Sequence, residues 1–138
     1  MGDGMTVSLK VLVSAAVLAA GLSAAGAAFA QGDGASLFQQ NCSACHQAKG
    51  EGVPGAFPAL AGNKFVQGDP KGPAYVVTHG RGGMPNFSED LDDKQVAAIL
   101  SFVRTSWGNA APGLDPGMVA SVRGAPLPPN EQAALPFH

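Results

Sequence analysis

Five consecutive residues, Cys42-Ser43-Ala44-Cys45-His46, carry the clearest chemistry in the sequence. Residues three positions apart lie on the same side of a helical turn, so Cys42 and Cys45 can present both sulfurs in one direction. Two thiols at this spacing can form thioethers with the vinyl groups on one edge of a haem, and the imidazole of His46 can reach the iron. The pattern therefore predicts a covalently attached c-type haem.

Three other uses of two such cysteines fit the rest of the chain less well. A structural zinc site needs four ligands, and outside the motif only His79 and His138 add imidazoles, neither at zinc-finger spacing. A thioredoxin-like redox pair belongs in a βαβ unit, and the sequence shows no alternation of strands and helices. A Cys42–Cys45 disulfide would close a small, strained loop. These considerations favour haem over zinc, dithiol chemistry or a disulfide.

The first thirty residues predict a secretory signal. Lys10 precedes a run of apolar and small residues without charge before Asp33, and a small-x-small pattern ends at Ala30. We expect cleavage after Ala30 and export to the periplasm, which agrees with thioether attachment, a step made outside the cytoplasm in bacteria. The alternative is an uncleaved membrane anchor, because the apolar run is nearly long enough to span a bilayer. Its later part, however, consists of weakly hydrophobic Ala, Gly and Ser.

Length and charge limit what the exported chain can do. Removal of residues 1–30 from the 138 leaves 108 residues, enough for one modest core that a large apolar cofactor would enlarge. The formal net charge of the whole chain is −2, and no basic stripe is present, which argues against a nucleic-acid partner.

Helical patterns flank a long loop that follows the cysteine motif. Residues 33–46 repeat apolar side chains at steps of three and four, with Asp33 as the expected N-cap. Glycines and prolines interrupt residues 50–62, so we expect a loop, and covering one face of a haem would explain its length. A short helix is predicted over 73–79, with Gly80 as its stop.

The strongest helix signal covers residues 91–108. Asp92 and Gln95 can form a capping box, an apolar stripe follows, and Gly108 is the expected end. Residues 115–123 predict a further short helix, and the proline-rich remainder is expected to be extended or disordered.

Met84 and His79 are the other candidate ligands. A lone methionine is ordinarily a gap-filling core residue, but Met84 lies in a glycine-rich loop between Gly83 and Pro85, which suits a sulfur held in one direction. His79 ends a predicted helix, where a histidine complements the helix dipole, and we interpret it as structural rather than as an iron ligand. His138, in the tail, is expected to have no role in the site.

With these residues identified, residues 33–108 resemble the class I c-type cytochromes. Gly34 and Phe38 precede Cys42 by eight and four residues, as in the N-terminal helix of that family. Phe102 takes the place of the aromatic residue in the family's C-terminal helix, where that helix packs against the N-terminal helix. The resemblance implies an all-α fold of three to four short helices around one covalently bound haem c.

The resemblance also implies haem contacts beyond the motif. Pro58 and Leu60 follow His46 by twelve and fourteen residues. In the family such a proline packs beside the haem, and its carbonyl receives the second histidine nitrogen. Met84 lies in the loop that supplies the sixth iron ligand. The implied organisation is a signal peptide over 1–30, a cytochrome c domain over 31–108 and a C-terminal extension over 109–138.

The function implied is electron transfer through one His/Met-ligated haem, without bond-making chemistry, because ligands on both sides leave the iron no open position. The expected partners are a periplasmic dehydrogenase or a terminal oxidase that docks transiently on a monomer or small subunit. Two alternatives stay open. One is a haem enzyme or gas-binding protein in which Met84 is not a ligand. The other is a cytochrome subunit of a periplasmic dehydrogenase, which the sequence from Gly83 to Asn109 resembles.

Overall fold

The computed structural model describes the backbone of residues 29–126 and the side chains of residues 33–126. Within that range the chain is helical and has no strand, which confirms the all-α class. Four helices have eight residues or more and two are single turns; they are α1 (Phe29–Asn41), α2 (Ser43–His46), α3 (Lys64–Gln67), α4 (Lys71–His79), α5 (Asp93–Thr105) and α6 (Pro116–Arg123). The first 28 residues of the predicted signal segment and the tail from residue 127, with His138, lie outside the described residues.

The central contact of the fold is the crossing of α1 and α5. A Cβ at Gly34 would overlap the backbone oxygen of Ala98, so only glycine lets the two helices approach this closely. Phe38 is fully buried, and its ring centroid lies 5.7 Å from that of Phe102 and 5.0 Å from that of Trp107. The predicted packing of Phe38 against Phe102 is confirmed.

The predicted helix over residues 33–46 is wrong in its boundaries. α1 begins at Phe29, so Asp33 lies inside the helix and is not its N-cap. The helix also does not run unbroken to residue 46, because the backbone of Cys42 leaves helical geometry at φ −120° and ψ −32°. The separate turn α2 then carries Cys45 and His46.

The predicted loop over 50–62 is confirmed, and it folds back on itself. The amide of Leu60 donates to the oxygen of Gly50 over 2.7 Å, and Val53 pairs with Phe57 in an isolated bridge. The short helix α3 after this loop was not predicted. Its signal was present in Asn63, whose side chain accepts hydrogen bonds from two amides of the first turn.

α4 begins two residues earlier than predicted, because the carboxylate of Asp69 accepts a hydrogen bond from the amide of Lys71 at 2.9 Å and starts the first turn there.

The capping box of α5 is confirmed, with the Gln95 amide 2.8 Å from Asp92 Oδ1 and the Asp92 amide 2.9 Å from Gln95 Oε1. The predicted end at Gly108 is wrong, because Ser106 is already extended. Trp107 follows at φ 55°, which brings its ring against Phe38.

Residues after 108 pack into the same core. Asp115 caps α6, whose Val119 is fully buried, and the Leu114 amide donates to Ser101 Oγ over 2.8 Å. Arg104 is only 3% exposed and donates to backbone oxygens of α3 and of the segment before α6. Burial lowers the pKa of Arg104 and Asp69 opposes that shift, but a guanidinium remains charged at neutral pH.

Among the helices between residues 29 and 126, none combines the length and apolar character that crossing a bilayer requires.

Candidate haem-binding site

A cavity of about 660 Å³ lies between α1, α2, the loop over 50–62, α4 and α5. Its size is within the usual range of cofactor pockets, about 300–1,000 Å³. Most of the described side chains that line it are apolar, and among these residues only Glu51 and Arg81 are charged. The structure brings all six residues of the predicted site to this cavity, namely Cys42, Cys45, His46, Pro58, Leu60 and Met84.

His46 is oriented by the backbone of the loop. The residue is 8% exposed, and its Nδ1 lies 2.9 Å from the carbonyl oxygen of Pro58. Because a carbonyl oxygen can only accept, Nδ1 carries the proton and Nε2 keeps a lone pair for a metal. α2 ends immediately after His46, where Gln47 takes a φ of 65°.

The two cysteines are half-buried, are not joined in a disulfide, and line the cavity. Burial raises the pKa of Cys42 to about 11, and Cys45 contributes in the same direction. A thiolate is therefore disfavoured at Cys42, whereas a neutral thioether carries no charge that burial would penalise. Across residues 33–126 no group of three or more His, Cys, Asp and Glu side chains could hold a metal ion. The absence of such a group within the described residues argues against a zinc site and fits thioether attachment better.

Met84 is held by a tight turn. Its amide donates to the oxygen of Arg81 over 2.8 Å, and the Arg81 amide donates back to the oxygen of Met84 over 3.0 Å. At Gly80, φ is 74° and a Cβ would lie 2.8 Å from the Met84 oxygen, so glycine permits this close return. The half-buried Met84 side chain lines the cavity and packs against the core.

His79 does not line the cavity. Its ring stacks on Tyr75 with centroids 3.8 Å apart, and its Nδ1 lies 3.0 Å from Thr78 Oγ1. This placement favours the structural interpretation of His79 over an iron-ligand role.

The sequence did not identify the apolar side of the cavity that α4 and α5 form, or the buried side-chain amide of Asn109. Among the lining residues that it did not assign to the site are five on the inner faces of α4 and α5, namely Val76, Val77, Ile99, Leu100 and Val103. Their spacing of three and four was visible in the sequence, but it marks a core and does not distinguish a cofactor from other apolar partners. Asn109 donates to the oxygens of Leu60 and Val103, and no sequence signal identified it.

Comparison with known proteins decides the family. Residues 29–103 match the family model described as cytochrome C oxidase, cbb3-type, subunit III. The chain belongs to the cbb3-type cytochrome c family. As in its relatives, the cofactor is an iron-containing haem c attached covalently.

Relatives of this cbb3-type cytochrome c include proteins named as dehydrogenase subunits and a protein named cytochrome c-552. It is 39% identical over 92 residues to the cytochrome c subunit of a quinone alcohol dehydrogenase of Gluconobacter oxydans, covering 58% of this chain and 19% of the relative. It is 38% identical over 101 residues to cytochrome c-552 of Thermus thermophilus, covering 62% of this chain and 67% of that protein. A gluconate 2-dehydrogenase cytochrome c subunit of Pantoea cypripedii is 32% identical, with 56% and 21% covered. The matched region thus spans about a fifth of the dehydrogenase subunits.

Proposed function

We propose that this protein carries electrons between redox partner proteins through one covalent haem c ligated by His46 and Met84. The observation that supports it most is the 2.9 Å contact between His46 Nδ1 and the Pro58 oxygen. It leaves Nε2 as the coordinating nitrogen in a cavity that Met84 and both cysteines also line.

Each residue has a distinct task in this proposal. Cys42 and Cys45 attach the cofactor, and Pro58 and Leu60 complete the surface beside it. The haem supplies a one-electron couple between ferrous and ferric iron. His46 and Met84 would both hold the iron, which would leave it no open position for oxygen or peroxide. A thioether ligand and apolar surroundings both favour the less charged ferrous form and so raise the reduction potential.

We further propose that the protein works in the periplasm after cleavage behind Ala30, with a cytochrome c domain over 31–108 and an extension over 109–138. The relatives support redox complexes as partners. Two are named as subunits of an alcohol and a gluconate dehydrogenase. Another, 32% identical, is the cbb3-type oxidase subunit CcoP of Azospirillum brasilense. Transient docking to a dehydrogenase or a terminal oxidase is consistent with both kinds of relative.

Absorption spectra of the purified holoprotein, oxidised and reduced, test the ligand set. A weak sulfur-to-iron charge-transfer band at the red end of the ferric spectrum is expected from His/Met ligation. If this band is absent and the ferrous form binds carbon monoxide, the sixth position is open, and a gas-binding or peroxidase-like function replaces the present proposal.

The second candidate function is that of a permanent subunit of a dehydrogenase complex, because several relatives are named as dehydrogenase subunits. It predicts that the native protein co-purifies with a larger catalytic subunit at a fixed ratio through gel filtration. Recovery of the cytochrome alone would favour a free carrier.

A further inference from the structure

Met84 lies in a loop whose two ends are held differently. We use "methionine loop" for residues 80–87 and "stem" for residues 88–93, which lead into α5. The start of the methionine loop continues directly from α4, and the Gly80 amide still donates to the Val76 oxygen over 2.9 Å. Near its other end, the Phe87 amide donates to the Val77 oxygen over 3.0 Å. Beyond Phe87, the amides of Asp90 and Leu91 donate back to the Phe87 oxygen over 3.2 and 2.9 Å, and further contacts come from outside the segment.

Arg123 makes those contacts from the end of α6. Its Nη1 donates to the Ser88 oxygen over 2.6 Å, and its Nη2 donates to the Leu91 oxygen over 2.9 Å. Its Nε lies 2.7 Å from Asp93 Oδ1. One planar guanidinium therefore binds the beginning, the middle and the end of the stem at once. A lysine ammonium lacks this fork of fixed donors.

The two backbone oxygens matter more here than the ion pair. The side chains of Arg123 and Asp93 are 24% and 33% exposed, and exposed pairs of this kind contribute little because water screens them. Hydrogen bonds from a charged donor to a carbonyl are stronger than neutral ones. Arg123 thus holds the stem chiefly through the backbone oxygens of Ser88 and Leu91.

α6 is placed firmly enough to act as a support. Val119 and Val122 are buried, and α6 packs on α4 and α5, the two helices that the methionine loop and stem connect. The region matched by the family model ends at residue 103, so α6 lies outside it.

We propose that Arg123 is a positioning residue for Met84: by binding the stem, it restricts opening of the methionine loop and so keeps the sulfur on the iron. This rests on the proposed function, in which Met84 is the sixth ligand. Opening of the loop and dissociation of the sulfur are one coupled equilibrium. Weakening the stem contacts therefore makes the sixth position easier to reach for a competing ligand.

The test is titration of the ferric holoprotein with imidazole, which competes with the methionine for iron. We expect Arg123→Gln to raise the apparent imidazole affinity by about tenfold, because hydrogen bonds from a charged donor are lost. Arg123→Lys keeps the charge but not the fork, and it should shift the affinity in the same direction by a smaller factor. Lys94→Gln is the matched control, since Lys94 is an exposed cation one residue beyond the stem, and it should leave the affinity unchanged.

Thermal unfolding followed by circular dichroism separates positioning from simple stabilisation. If Arg123→Gln lowers the melting temperature but leaves the imidazole affinity and the red absorption band at their parental values, the proposal is overturned. Should Arg123→Gln fail to fold, Arg123→Lys decides, and a parental affinity in that variant also overturns it. If the parent protein lacks the red band, Met84 is not the ligand and the proposed function fails. If the parent shows the band and Arg123→Gln has the parental imidazole affinity, only the proposal for Arg123 fails.

Discussion

The Nδ1 nitrogen of His46 lies 2.9 Å from the backbone oxygen of Pro58. The same loop is bound to the motif a second time, because the Gly52 amide donates to the His46 oxygen over 2.9 Å. A residue on a short helical turn and a carbonyl twelve positions later are thereby fixed relative to each other. The loop thus serves as a second layer of support for the imidazole, in addition to lining the cavity. Such outer hydrogen bonds set the tautomer and orientation of metal-binding histidines.

Covalent attachment leads to the first prediction. Acid acetone should leave the haem on the polypeptide, because the thioethers of Cys42 and Cys45 are not broken by denaturation. Cys42→Ala should leave a single thioether or give no stable holoprotein. Ser43→Ala, a change between the two cysteines, should retain the haem as the parent does. Haem found in the acetone layer from the parent protein would contradict covalent attachment.

Removal of the sixth ligand is the second prediction. Met84→Ala should abolish the red absorption band, lower the reduction potential and allow the ferrous form to bind carbon monoxide. The potential should fall because a thioether favours ferrous iron. Met118→Ala is the matched control, since Met118 is a half-buried methionine on α6 that does not line the cavity. If Met84→Ala has the spectrum and potential of the parent, another residue is the ligand.

The crossing of α1 and α5 gives the third prediction. Phe38→Ala should lower the free energy of unfolding by about 3–5 kcal/mol, the usual cost of truncating a buried phenylalanine. Phe102→Ala should cost less, because that side chain is only partly buried. Gln40→Ala, at an exposed position of α1, should change stability by less than about 0.5 kcal/mol.

Denaturant unfolding of the holoproteins measures these differences. Trp107, the only tryptophan in the sequence, packs against both phenylalanines and provides a fluorescence signal at the crossing. An unaltered midpoint for Phe38→Ala would show that the two helices do not depend on this contact.

Buried Arg104 is the basis of the fourth prediction. Its Nη1 donates to the oxygens of Val66 and Gly68, and its Nε donates to that of Pro112 over 2.8 Å. Arg104→Gln cannot make all three contacts, and it should destabilise the fold by about 3 kcal/mol or more.

The loss from Arg104→Gln should not vary with pH in the neutral range. Burial lowers the pKa of Arg104 in the folded protein, so deprotonation would reduce stability only as the pH rises towards the pKa of arginine, far above neutral. Unfolding midpoints at pH 6 and pH 8 should therefore shift by the same amount relative to the parent. A loss that differs between the two pH values would show that another group, one that titrates near neutral pH, contributes to the effect of the substitution.

The sequence predicted several elements whose signals are local, although it missed α3, which Asn63 caps locally. The capping box at Asp92 and the loop after Gly50 depend on residues that are close together in the chain, and both are found. The end of α5 was misjudged because the Trp107 ring packs on Phe38, nearly seventy positions earlier in the sequence. The contacts of Arg104 and Arg123 were also missed, since each joins segments about thirty or more positions apart and no periodic pattern reports them.

Docking of a redox partner is the subject of the last prediction. The haem edge in this family is framed by the attachment motif and the methionine loop. Several residues of these segments and the adjoining loop are exposed and small or apolar, namely Ala44, Ala48, Val53, Pro54, Gly55, Gly82, Gly83 and Pro85. Lys49 and Arg81 are the basic residues nearby. A ring of lysines would steer an acidic partner from a distance, but this rim cannot.

We therefore expect a small, transient and largely apolar interface below about 1,200 Å². Stopped-flow electron transfer with the natural partner should change only mildly as added salt shortens the screening length from about 30 Å to about 8 Å. Ala48→Glu would put a carboxylate at an exposed position of the rim that does not line the cavity, and it should slow the reaction, whereas Lys64→Gln, an exposed change outside these segments, should not. A fall of tenfold or more with salt in the parent protein would mean that charged steering controls association and that the rim is not an apolar docking surface.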